Sequence, residues 1–315
     1  MVAIKSPKGT GKSTTIAPIV QKAYAQGKKV LLLTHRIQLA NDLCKKFGVW
    51  YVSDLGSTGL SKVPGMGLCV DSLHPNSQAQ FDHSEWEGCT VVLDEVEQLL
   101  KHLLTSQTCQ KKRISILETF FSLLKGAERV IIADADLSDI SVKYIKNIMG
   151  VKPFVIRNDY QLEGYNCYRH PNPESVITKT DHLLAAGEKV LLLLAAQKAK
   201  SMFGTQNLED WYREKFPELR ILRIDAESLA DETHPAYGAI TNINEILLNY
   251  DLVIASPSIE TGISIDIRGH FTSVCEIATG VQSEASVRQA LGRVREPIDR
   301  HVFVSPFGFG TTPRG

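Results

Sequence analysis

The segment Ser6-Pro7-Lys8-Gly9-Thr10-Gly11-Lys12-Ser13 constrains this chain more than any other. It follows a short apolar run, Val2–Lys5, and precedes a stretch with helical spacing. Glycines at 9 and 11 let the backbone curl so that successive N–H groups point inward and form a concavity for phosphate oxygens. A helix starting near Lys12 adds its positive dipole end to that concavity. Strand, glycine loop, lysine, hydroxyl and helix in this order predict a P-loop built from Pro7, Lys8, Gly9, Thr10, Gly11, Lys12, Ser13 and Thr14. Lys12 is expected to reach the β- and γ-phosphates of ATP, and the Ser13 hydroxyl to ligate Mg²⁺. Ser6 stands where many such loops carry glycine, and its side chain is small enough to be tolerated.

A second segment supplies what such a loop needs. Thr90–Leu93 reads as a strand buried on both faces, and it ends in Asp94-Glu95. Ligands of parallel sheets gather at the carboxyl ends of strands, the edge on which a P-loop also lies. Asp94 is therefore expected to hold Mg²⁺ through water, and Glu95 to orient and deprotonate the attacking water. Alone, two acids after a strand would read as a helix start that favours negative charge.

Short apolar runs alternate with helical stretches along most of the 315 residues, the pattern of an α/β fold with largely parallel sheets. The length suits two domains. The stretch 152–173 carries three prolines, Asn158-Asp159 and Gly164, and places the junction, giving domains 1–157 and 158–315. No run approaches the roughly 20 apolar residues of a membrane span, and Val2–Lys5 is not a signal-peptide core. The six cysteines (44, 69, 89, 109, 167, 275) stand singly without a CxxC pair, which argues against a zinc site or disulfide framework and for a reducing, cytoplasmic interior. Net charge is zero, so any nucleic-acid grip must rest on local charge such as Lys45-Lys46 or Lys111-Lys112-Arg113. Among the aromatics, Trp50 reads as core within an apolar strand, whereas Trp86 and Trp211 are open between core and base stacking.

Further segments carry a resemblance to a family. Thr34-His35-Arg36-Ile37-Gln38-Leu39-Ala40 resembles motif Ia of superfamily 2 helicases, and Asp94-Glu95-Val96-Glu97 resembles their motif II, with Glu97 where many members have His or Asp. Ala133-Asp134-Ala135-Asp136 lies where motif III falls, though its wording departs from Ser-Ala-Thr. The stretch 256–266, which includes Thr261 and Gly262, resembles motif V, and Gln289-Ala290-Leu291-Gly292-Arg293-Val294-Arg295 resembles motif VI. Within the superfamily the wording is most similar to the origin-binding-protein helicases and to the helicase portion of cyanobacterial plasmid replication proteins. Cys69-Val70-Asp71-Ser72-Leu73 is among the segments that carry this likeness.

The resemblance implies two RecA-like domains around an ATP cleft, with ATP and Mg²⁺ as cofactors. It further implies an ATP-dependent DNA helicase or translocase core that serves replication initiation at an origin or plasmid. Gln289 and Arg293 are four apart, so a helix over Glu284–Val294 would set both on one face. There Gln289 would align water or γ-phosphate while Arg293 serves as an arginine finger. The family's second arginine falls on Glu296 here; Arg295 is the nearest substitute, roughly 100° off that face. Thr34, His35, Arg36, Ser72 and Thr261 are the expected contacts to single-stranded or duplex DNA, and Gly262 is expected near the nucleotide. RNA remains a possible polymer, through a DEAH-like RNA helicase. A nucleotide-regulated DNA-binding scaffold without unwinding is the other alternative. In related proteins a primase-like or DNA-binding region precedes the motor, so such a region and initiation proteins are the expected partners.

Overall fold

Strands covered on both faces need continuous apolar runs, and most strands of this chain are of that kind. The computed structural model describes residues 1–55, 63–160, 163–195, 202–256, 265–279 and 284–306, without the side chains of Thr241 and Ala285. Met1–Leu162 and Glu163–Gly315 form two compact units. Each is a parallel α/β layer structure, and both are RecA-like.

The first unit holds strands β1 (Val2–Lys5), β2 (Val30–Thr34), β3 (Trp50–Tyr51), β4 (Gly65–Cys69), β5 (Thr90–Asp94), β6 (Arg129–Asp134) and β7 (Phe154–Arg157). They line up as β3-β4-β2-β5-β6-β1-β7, all parallel. The helices are α1 (Lys12–Ala25), α2 (Ile37–Phe47), α3 (Val96–Thr105), α4 (Gln107–Gln110), α5 (Arg113–Gly126) and α6 (Asp139–Met149). The two-residue period of the strands sorts their side chains between two cores. Leu31, Leu33, Val91, Leu93 and Ile132 pack with α3 and α5, whereas Val30, Leu32, Val92 and Ile131 pack with α1 and α2.

The second unit carries β8 (Cys167–Arg169), β9 (Val190–Leu194), β10 (Ile221–Ile224), β11 (Leu252–Ala255), β12 (Ser273–Ala278) and β13 (Asp299–Val304), in the order β10-β11-β9-β12-β13-β8, again parallel. Its helices are α7 (Pro173–Ala185), α8 (Thr205–Lys215), α9 (Ala226–Ala230), α10 (Ile243–Leu247) and α11 (Glu284–Leu291). The same alternation gives one core against α10 and α11 and another against α7 and α8.

Two sequence expectations change here. Trp50 is 52% exposed, because β3 is a two-residue edge strand whose alternation turns Tyr51 inward and Trp50 outward. Trp86, by contrast, is fully buried beside Phe81. The helix expected over Glu284–Val294 stops at Leu291. Beyond it the chain turns so that Ile265 bridges Val294, with the Ile265 N–H donating to the Arg293 carbonyl at 3.0 Å and the Arg295 N–H to the Ile265 carbonyl at 3.1 Å. Gln289 and Arg293 are therefore not on one helical face. Arg293 lies in the turn, its N–H donating to the Ala290 carbonyl.

Candidate functional site

The strand order places the carboxyl ends of β5, β6 and β1 side by side, and the P-loop leaves the last of these. Gly9 (φ 76°) and Gly11 (φ 82°) both adopt the left-handed conformation that the loop requires. A methyl group at Gly11 would meet nothing nearer than Thr14 Cβ at 3.9 Å, so backbone conformation rather than space demands glycine there. The loop is braced from within. Ser6 Oγ lies 2.6 Å from Thr10 Oγ1, Thr10 donates to the Pro7 carbonyl at 2.6 Å, and Asn158 Nδ2 donates to Ser6 Oγ at 2.9 Å. Lys12 Nζ donates to the carbonyls of Ser6 (2.8 Å) and Pro7 (3.1 Å), which holds the ammonium against the loop backbone. Lys8 is partly exposed and Thr14 exposed.

Ser13 Oγ donates to Asp94 Oδ2 at 3.0 Å, joining residues 81 apart in sequence. Asp94 is buried, and burial raises its carboxyl above the usual range against the opposing pull of Ser13 and Lys12. A buried carboxylate beside a hydroxyl is a hard-oxygen pair of the type Mg²⁺ accepts. No side chain caps the start of α1, which leaves its first-turn N–H groups for phosphate oxygens. These residues fit a Mg²⁺-nucleotide. Glu95 takes a left-handed conformation (φ 52°, ψ 49°) as the residue preceding α3. That geometry is costly for a residue with a side chain, and such strain gathers at functional positions.

Behind Glu95 runs a polar link that the sequence did not reveal. The Glu97 N–H donates to Asp134 Oδ2 (3.0 Å), the Asp136 N–H donates to Asp134 Oδ1 (2.9 Å), and Glu97 Oε1 accepts the Ser138 N–H (2.8 Å). Asp134, at the end of β6, is buried and shifted upward by desolvation. Glu97 thus ties the segment after β5 to the segment after β6.

The expected nucleic-acid contacts separate in space. His35, Arg36 and Ser72 line one cavity of about 690 Å³, together with Asp71, His102 and Tyr51. Thr34 does not join them. It is fully buried, and its hydroxyl donates to the Arg36 carbonyl at 3.0 Å, so it shapes the turn that presents Arg36. His35 is buried; desolvation first and Arg36 second pull its imidazole down to about 4. Arg113, part of an expected basic patch, folds back to donate to the carbonyls of Leu103 and Ser106. Thr261 and Gly262 lie outside the described residues.

In the second unit Gln289 is buried on α11 and Arg293 is buried in the turn after it, while Arg295 is exposed, 3.9 Å from Asp266. Sequence reasoning missed Arg300, which shapes that turn. Its fully buried guanidinium donates to the carbonyls of Leu291, Val294, Glu296 and Ile298. The available signal was slight, because Arg300 stands between Asp299 and His301 in β13 and reads as one of three polar residues at a strand start.

The two parallel sheets and the phosphate loop define a P-loop protein with the fold of a superfamily 2 helicase core. The chain matches the Mycobacterium smegmatis helicase Lhr bound to single-stranded DNA and AMP-PNP with a TM-score of 0.61 at 15% identity, over 96% of this chain and 43% of that one. More particularly, the chain is similar to replication origin-binding proteins. An Acanthamoeba polyphaga mimivirus protein provisionally named as one is 24% identical over 94% of this chain and 36% of the relative. An uncharacterized protein of Picosynechococcus sp. strain PCC 7002 is 45% identical over 98% of this chain and 32% of its own length. The chain thus spans about a third of the length of these curated relatives. No family model matches it. The resemblance drawn from the motifs therefore holds, both in fold and in the wording shared with origin-binding proteins.

Proposed function

We propose that this chain is the ATP-dependent motor core of a replication-initiation protein, one that hydrolyses ATP to move along single-stranded DNA in the cytoplasm. The observation that carries the reading is the Ser13–Asp94 hydrogen bond beside Lys12, which joins the phosphate loop to the acidic end of β5. Residues 7–14 would hold the triphosphate, and Ser13 and Asp94 would hold Mg²⁺. When bound, the metal neutralises charge that develops on the phosphate oxygens. Lys12 would exchange its loop carbonyls for phosphate oxygens, and Glu95 would accept the proton of the attacking water. Gln289 and Arg293, with Arg295 as a further basic group, are assigned to the transferred phosphoryl group. Arg36, His35 and Ser72 are assigned to the nucleic-acid backbone, with little base readout. Thr261 and Gly262 keep their motif-based roles.

The test is ATP turnover with and without single-stranded DNA or RNA, for wild type, Lys12→Ala and Arg293→Ala. DNA-stimulated turnover lost in both variants is the expected result. Preferential stimulation by RNA would turn the reading to an RNA helicase. Stimulated turnover without strand displacement by the full-length protein would turn it to a nucleotide-regulated scaffold. Wild-type turnover indifferent to both polymers would defeat the motor reading.

A further inference from the structure

Three side chains scattered in the sequence meet in the first unit. Asp71 lies in the short 3₁₀ turn Val70–Leu73 that follows β4, His102 in the last turn of α3, and Cys109 on α4. Ser106 both ends α3 and caps α4, so the chain folds back at that point and returns Cys109 toward His102. Asp71 Oδ2 is 2.7 Å from His102 Nε2, and Asp71 Oδ1 is 3.4 Å from Cys109 Sγ. The oxygen, nitrogen and sulfur all lie within 4.8 Å of one another.

We propose that Asp71, His102 and Cys109 bind a transition-metal cation of the Zn²⁺ class, with a fourth position open to the 690 Å³ cavity that Asp71 and His102 line. One thiolate, one imidazole and one carboxylate are a donor set that suits Zn²⁺ rather than Mg²⁺ or Ca²⁺. Bonds of about 2.0–2.3 Å in a tetrahedron space the ligand atoms about 3.3–3.6 Å apart. One Asp71 oxygen, the His102 nitrogen and the Cys109 sulfur, all within 4.8 Å of one another, reach that spacing by side-chain rotation. The Thr108 hydroxyl donates to Asp71 Oδ1 at 2.5 Å and so orients the carboxylate from outside the ligand set, the arrangement that tunes metal ligands. On binding, the Cys109 thiol proton leaves to solvent and His102 binds through an unprotonated ring nitrogen. The site lies at the end of α3, the helix that starts beside Asp94-Glu95, and it fixes the turn that carries Ser72. It is separate from the Ser13–Asp94 pair and does not depend on the motor reading.

The same three residues could serve as a hydrogen-bonded tie alone, and a tie has no need of a thiolate. The chain is stripped with a chelator and titrated with Co²⁺, then with Zn²⁺ as competitor. Wild type is expected to develop a thiolate-to-cobalt charge-transfer band that saturates at one equivalent and is displaced by Zn²⁺. Cys109→Ser and His102→Gln should each weaken binding more than about tenfold, and Cys109→Ser should abolish the band. Asp94→Asn and Ser13→Ala, at a site without sulfur, should leave the band unchanged. Zinc-edge X-ray absorption on wild type should report one sulfur ligand, a measurement that holds even if a variant fails to fold. Absence of the band from wild type, or a band and affinity that survive in folded Cys109→Ser and His102→Gln, would overturn the proposal and leave the tie.

Discussion

Replacing Arg300 by methionine isolates the contribution of one buried cation to the geometry of the turn after α11. Methionine fills much of the same volume but returns none of the four hydrogen bonds. The carbonyls of Leu291 and Val294 receive the guanidinium in fully buried contacts, whereas those to Glu296 and Ile298 are only partly buried. Water can replace the second pair. Each buried carbonyl left without a donor costs about 1–3 kcal/mol. Part of that is offset, because methionine avoids the desolvation that the guanidinium carries. The expected net loss is about 2–4 kcal/mol. In a unit of this size that lowers the midpoint of thermal unfolding by about 5–15 °C. Calorimetry or urea unfolding would assign the loss to the second unit's transition. Lysine should fall between methionine and wild type, since one ammonium cannot fork across four carbonyls. An Arg300→Met midpoint within about 2 °C of wild type would refute the reasoning, because the turn would then hold without the cation.

Gly11→Ala forces a side chain into φ 82°; it should cost about 1 kcal/mol or more and weaken nucleotide binding, as read by unfolding and by fluorescent-nucleotide titration. Glu97→Ala removes the acceptor of the Ser138 N–H. Stability should fall by about 1 kcal/mol, and nucleic-acid-stimulated turnover should drop more than basal turnover; equal drops would speak against a coupling role. His35 has a pH signature of definite sign. Burial lowers its pKa from 6.5 to about 4, with Arg36 and His102 acting in the same direction and Asp71 against them. The unfolded chain therefore takes up a proton before the fold does. This contribution to stability is complete above about pH 6.5, declines as pH falls toward 4, and is flat below. His35→Gln should flatten the stability curve between those limits, and unfolding free energies at pH 7 and 5 that change by the same amount in both proteins would contradict the assignment.

What the sequence determined by itself is local in origin. The loop at 6–13 needs only glycine conformations and the helix that follows it, and that helix, α1, begins at Lys12 as expected. The β5 run must be buried on both faces whatever surrounds it, and its acidic end must then lie on the ligand edge of the sheet. Contacts between distant segments were not legible. Trp50 faces outward because β3 lies at a sheet edge, a position no window of residues encodes. α11 ends before Arg293, where Ile265, remote in sequence, and Arg300, nine residues past Leu291, claim the backbone. The absence of a CxxC pair argued against zinc, yet the turn after β4, a helix end and a short helix bring Asp71, His102 and Cys109 within 4.8 Å. Periodicity and turn chemistry act over a few residues and can be read in order along a chain. The partners of a buried charge or a ligand atom are chosen by packing, and only the tertiary structure decides them.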